Sequence, residues 1–201
     1  MARGWWYAAA AGVPPEHVTR PAVFLDKDGT LVEDVPYNVD PDQLRLTEGA
    51  ADGLRLLADA GFGLLVVSNQ SGVARGYFAE PALGAVEARL RELIAPVPLL
   101  GFYYCPHLPE GVVPEYAVAC GCRKPAPGLL ERAAREHDLD LGDSWLVGDI
   151  LDDVEAGRRA GCRTILLDVG HETEWQAGPE RTPHACATSV RTAAELILAQ
   201  R

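Results

Sequence analysis

The segment Phe24-Leu25-Asp26-Lys27-Asp28-Gly29-Thr30-Leu31 sets two carboxylates two residues apart, at the end of a short apolar run. Carboxylates so placed can serve as nucleophile and as general acid and base. Asp-Lys-Asp-Gly by itself is also an ordinary turn, because Asp bonds its own backbone and Gly accepts left-handed angles. The pair is not isolated, however. Ser68 ends a second apolar run, Lys124 stands just before Pro125, and Gly148-Asp149 ends another run and is followed by Asp152-Asp153. A lone Ser or Lys in such places reads as a cap or a surface charge. The ordered set is what points to chemistry.

A second group is Cys105-Pro106-His107 with Cys120-Gly121-Cys122. Three thiols and an imidazole in two clusters, joined by residues 108–119, match a tetrahedral structural zinc site better than three unrelated cysteines and a surface histidine. Thiolate and imidazole donors suit Zn²⁺. Four protein ligands leave no open position, so this zinc is expected to pin the loop 105–122 next to Arg123 and Lys124 rather than to react. Cys162 follows Gly161 at the start of an apolar run and is expected in the core; Cys186 suggests no role.

The elements that must position these groups are legible from periodicity. Buried strands are expected at 22–26, 63–67, 99–104, 144–148 and 163–168, where short apolar runs end in polar residues. Helices are expected at 48–60, 80–95, 125–137, 152–160 and 190–200. Pro125 would open the third helix, and Gly61 and Gly161 would stop the first and fourth. Strands alternating with helices require crossover connections. The predicted fold is therefore α/β: a doubly wound, Rossmann-like parallel sheet with helices on both faces. Ligands in such sheets bind beyond the carboxyl ends of the strands, and Asp26, Asp28, Ser68, Asn69 and Asp149 all fall there.

The 201 residues, 48% apolar and 23% charged, suit one packed domain. Residues 21–201 are read as that domain and residues 1–20 as an N-terminal arm. A signal peptide is the lesser reading of the start, because Trp5-Trp6-Tyr7 and the alanines after it lack Leu, Ile and Phe and run into Pro14-Pro15. The formal charge of -11 argues against a nucleic-acid partner. No apolar run approaches the roughly 20 residues needed to cross a bilayer. Five cysteines without a secretion signal fit a reducing compartment, so a cytoplasmic location is expected. Nothing demands an oligomer, and a monomer is expected.

The four motifs around Asp26, Ser68, Lys124 and Asp149, in this order and each at the right end of its element, resemble the haloacid dehalogenase superfamily of phosphohydrolases over residues 22–170. The resemblance implies that Asp26 attacks phosphorus and forms an aspartyl-phosphate, and that Asp28 protonates the leaving oxygen and then takes a proton from water. It implies that Ser68 bonds a phosphoryl oxygen and Lys124 neutralises developing charge. Mg²⁺ would be held by the Asp26 carboxylate, the Asp28 carbonyl and the Asp149 carboxylate. Asp153 is open between an outer-shell acid and a solvated helix residue.

The zinc loop narrows the resemblance to a subgroup without a large cap domain, which includes the heptose bisphosphate and histidinol-phosphate phosphatases. The run Ser68-Asn69-Gln70-Ser71-Gly72-Val73-Ala74-Arg75-Gly76 and the length of the zinc loop look like the heptose enzymes. The string Cys122-Arg123-Lys124-Pro125 is shared by both. The implied partner is a small phosphorylated sugar, contacted by Asp34, Tyr37, Asn69, Gln70, Ser71 and Arg123, with Arg75 added on position alone. Alternatives are another small phosphomonoester and an inactive, zinc-stapled binding module. Departures from the subgroup are Lys27 for arginine, Ser68 for threonine, and Ile150 where lysine is common. The last removes a cation near the phosphate.

Overall fold

A computed structural model describes residues 19–200. Residues 1–18 of the expected arm lie outside the described residues, and Arg20 already belongs to the first strand.

The chain runs β1 (Arg20–Leu25), α1 (Ala50–Asp59), β2 (Gly63–Asn69), α2 (Ala82–Ile94), β3 (Gly101–Cys105), α3 (Gly128–His137), β4 (Leu139–Gly148), α4 (Leu151–Arg159), β5 (Arg163–Leu167), β6 (Ala185–Ala187) and α5 (Val190–Leu198). All strand pairs are parallel, in the order β3-β2-β1-β4-β5-β6. The chain steps one way from β1 to β2 and the other way to β4. The crevice at that reversal lies beyond the carboxyl ends of β1 and β4, where Asp26 and Asp149 follow directly.

Strands buried on both faces need apolar residues at every position, and Ala22 to Leu25 and Leu64 to Val67 supply them. Alternation sends Val23, Leu25, Leu64 and Val66 to one face, against Leu54 and Leu57 of α1, Val86 and Leu90 of α2, and Ile197 of α5. It sends Ala22, Phe24, Leu65 and Val67 to the other, against Leu129 and Leu130 of α3 and Ala156 of α4. Burial of each Val, Leu, Ile or Phe side chain here contributes about 1.5–3 kcal/mol, which fixes the strand ends that carry the polar groups. No large cap domain interrupts the described residues.

Two expectations need correction. The third helix begins at Gly128, not Pro125. Pro127 disfavours helical angles at Ala126, so the helix can start only after it. The fourth strand is twice as long as expected, because Leu139 and Asp140 already pair with Arg20 and Pro21 of β1, and a shift of register then leads into the apolar stretch. A sixth strand, Ala185–Ala187, was not foreseen; three small residues carry no period to read.

Candidate active site

Asp26 leaves β1 with its amide bonded to Val147 O of β4 (2.9 Å), so the carboxylate emerges between the two strands. The chain then turns tightly, with Leu31 N and Val32 N both donating to Lys27 O. Asp28 comes out of this turn beside the buried Lys27 ammonium, 2.5 Å from its Oδ1. Gln70 Nε2 donates to the other oxygen at 3.0 Å and to Ser68 Oγ at 2.8 Å. Burial raises the Asp28 pKa; Lys27 lowers it and Asp26 raises it, and the net direction is upward. A carboxyl so raised is suited to hold a proton and give it up.

Lys124 arrives from the turn before α3. Its backbone is clasped by Asn69: Lys124 N donates to Asn69 Oδ1 and Asn69 Nδ2 to Lys124 O, each at 3.0 Å. The buried ammonium then donates to Val67 O (2.9 Å) and reaches Asp26 Oδ1 (2.5 Å) and Asp153 Oδ1 (2.6 Å). Burial pulls the Lys124 pKa down, but Asp153 and Asp26 more than offset it, so the net shift is up and the ammonium stays charged. Asp153 is 1% exposed, so it is no solvated helix residue. Gly148 makes room for it, since a Cβ there would lie 2.3 Å from its carboxylate.

Asp149 sits at the end of β4. Thr30 Oγ1 donates to its Oδ1 at 3.2 Å, and His171 Nδ1 lies 2.7 Å from its Oδ2. Gly29 permits this approach: its φ is +77°, and a Cβ there would lie 2.2 Å from Asp149 Oδ2 and 2.5 Å from His171 Nδ1. Asp26, Asp149 and Asp153 bring oxygens within 4.8 Å of one another. Burial first, then the Asp26 charge, pushes Asp149 up to about 6. Burial, partly offset by Lys124, pushes Asp153 up to about 7. One ammonium among three buried carboxylates leaves net negative charge, and an all-oxygen donor set of that kind fits a hard divalent cation.

Cys105, His107, Cys120 and Cys122 also converge within 4.8 Å. The sulfur pairs stand 3.0 to 3.5 Å apart, and His107 Nδ1 is 3.4 Å from Cys122 Sγ. The Cys105 thiol is raised by burial. Cys120, raised by burial but lowered further by bonds from Cys122 and Arg123, ends near about 7. Three sulfurs and one imidazole nitrogen in a closed cluster fit a tetrahedral zinc.

A hollow of about 240 Å³ opens from Asp28 and is lined by Asp34, Tyr37, Asn69, Gln70 and Ser71. A second, of about 550 Å³, lies on the Gly29 and His171 side, with Asp34 lining both. Arg123 Nη1 donates to His107 O at 3.3 Å.

Comparison with known proteins now bears on this geometry. A family model described as HAD-hydrolase-like matches residues 121–193. The chain is 36% identical over 161 residues to the D-glycero-alpha-D-manno-heptose-1,7-bisphosphate 7-phosphatase of Photorhabdus laumondii, covering 79% of this chain and 88% of that one. It is 39% identical over 167 residues to the D-glycero-beta-D-manno-heptose-1,7-bisphosphate 7-phosphatase of Escherichia coli K12, covering 82% and 84%. The crystal structure of D,D-heptose 1,7-bisphosphate phosphatase from B. bronchiseptica, complexed with magnesium and phosphate, superposes with a TM-score of 0.77 at 31% identity, over 90% of this chain and 99% of that one. The chain belongs to the haloacid dehalogenase-like phosphatases.

As a haloacid dehalogenase-like phosphatase, the protein gathers Asp26, Asp28, Ser68, Lys124 and Asp149 around one crevice. The side chains of Asn69 and Gln70, expected toward substrate, are engaged with Lys124 and with Asp28 and Ser68. His171 was missed by sequence reasoning. It follows β5 by a few residues, and the rule that function gathers at strand carboxyl ends was the one available signal.

Proposed function

We propose that this phosphatase hydrolyses the 7-phosphate of D-glycero-D-manno-heptose 1,7-bisphosphate through an aspartyl-phosphate at Asp26. The observation that carries the chemistry is the buried contact of Lys124 Nζ with Asp26 Oδ1 at 2.5 Å. A phosphoryl group meeting Asp26 there meets a fixed cation as well. The substrate rests on the names of relatives that match most of this chain.

In the first half-reaction an Asp26 oxygen attacks phosphorus, and the bond to the sugar oxygen breaks. Asp28 gives that oxygen its proton, so the sugar leaves as an alcohol. In the second, Asp28 takes a proton from water, the water oxygen attacks phosphorus, and the Asp26–phosphorus bond breaks to release phosphate and free carboxylate. Lys124 and Ser68 hold the phosphoryl oxygens through both, with charge-assisted bonds that need no reorganisation. Asp26 and Asp149, with the Asp28 carbonyl, would hold magnesium, which supplies Lewis-acid charge at the phosphoryl oxygens when bound. Cys105, His107, Cys120 and Cys122 would hold zinc, two residues from Lys124. A cytoplasmic location fits five cysteines with no disulfide among them, as a reducing compartment leaves them, and a monomer is the expected form.

The test is phosphate release, with magnesium present or chelated, from both anomers of the heptose bisphosphate, histidinol phosphate and fructose 1,6-bisphosphate. A strong preference for one heptose anomer is expected. Equal, weak hydrolysis of all four would refute the substrate. Turnover of Asp26→Asn at the wild-type rate would refute the covalent mechanism.

A further inference from the structure

The hollow beside Asp28 ends against side chains that the chemistry at Asp26 does not use. Tyr37 lines it, is 46% exposed, and has a φ of +56°, a left-handed angle uncommon outside glycine. Its ring stands edge-on to Tyr77, with centroids 4.7 Å apart. The Arg75 guanidinium carbon lies over the Tyr37 ring, 5.8 Å from its centroid.

Arg75 differs from the described arginines that pair with acids. Arg91, Arg132, Arg159 and Arg181 each touch a carboxylate. Among the described residues Arg75 has no carboxylate partner, and its Nε is buried without a hydrogen bond. Acids outnumber bases 29 to 18, so a guanidinium left without an acid, over a tyrosine that lines the hollow, is free to take an anion. It is also held in place. Arg75 N donates to Ser71 O at 3.0 Å. The preceding carbonyl, Ala74 O, accepts from Val112 N (2.8 Å) and Val113 N (3.0 Å), which fastens this turn to the Cys/His loop.

We infer that Arg75, stacked on Tyr37, binds the phosphate of the bisphosphate that is not cleaved. The inference rests on the substrate proposed above. With the scissile phosphate at Asp26 and the sugar along the hollow, the far end of the substrate meets Tyr37, and Arg75 stands over the Tyr37 ring. A planar guanidinium takes two phosphate oxygens at once. Tyr37 keeps the guanidinium plane oriented and offers its own ring to the apolar face of the sugar. The device selects a sugar carrying a second anion over its monophosphate.

The experiment compares kcat and KM for the heptose 1,7-bisphosphate and for the heptose 7-phosphate in wild type, Arg75→Gln, Arg75→Lys and Tyr37→Leu. The wild type is expected to prefer the bisphosphate, and Arg75→Gln to lose that preference by roughly tenfold or more, through KM, as the loss of a charge-assisted contact predicts. Arg75→Lys should lie between, because it keeps the charge without the fork. Tyr37→Leu leaves Arg75 in the chain and should lower the same ratio. A strong wild-type preference that both Arg75→Gln and Tyr37→Leu keep within about twofold overturns this inference alone. A wild type that does not prefer the bisphosphate overturns the substrate assignment and this inference together.

Discussion

Lys124 Nζ stands 2.5 Å from Asp26 Oδ1, across 98 residues of sequence, with both side chains buried. The same ammonium is 2.6 Å from Asp153 Oδ1. Removing it leaves two buried carboxylates without their cation. Lys124→Met is therefore expected to cost about 3–5 kcal/mol of metal-free stability, and to lower kcat by roughly 10²- to 10³-fold. Urea unfolding and steady-state kinetics measure the two. Unchanged stability would mean that the ammonium does not hold the carboxylates together.

The carboxylates give a pH signature. Folded Asp153 is raised to about 7 and Asp149 to about 6, from an ordinary value of 3.8. The folded state thus keeps protons that the unfolded chain has released. Metal-free stability accordingly falls as pH rises from about 4 to about 7. Magnesium would bind the ionised carboxylates, so it should raise the melting temperature more at pH 8 than at pH 5. Melting curves with and without magnesium decide it; a larger gain at pH 5 would contradict the buried cluster.

His171 Nδ1 touches Asp149 Oδ2 at 2.7 Å. Partners that orient a metal-binding carboxylate matter to affinity, so His171→Ala should weaken magnesium binding on the order of tenfold. Calorimetric titration reads this without turnover. An unchanged affinity would make the contact incidental.

The Cys/His cluster should hold about one zinc per chain, in keeping with four protein ligands. Cys120→Ser is expected to lose the metal, lower the melting temperature and reduce kcat, because Cys122 and Lys124 share one turn and Lys124 needs its clasp with Asn69. Metal analysis beside kinetics tests it. Full zinc content in Cys120→Ser would remove Cys120 from the ligand set.

What the sequence by itself determined is whatever is written in local pattern. Apolar runs ending in Asp26, Ser68 and Asp149 announced parallel strands with polar ends, because strands buried on both faces leave no other place for a charge. The Cys and His residues of 105–122 were legible as a group because they stand at short spacing, and the fold does bring all four together. Tertiary structure alone decided what packing brings together. Asp153 could have faced water until Gly148 gave it room to turn toward Lys124. His171 had no period or motif to mark it, and only the pairing of β5 alongside β4 puts the loop after β5 beside Asp149. Asn69 and Gln70 stood in a motif read toward substrate, yet their amides are engaged with Lys124, Asp28 and Ser68. Hydrogen bonds between residues dozens of positions apart depend on the register of strands, and register is set by the burial of whole faces rather than by any local string.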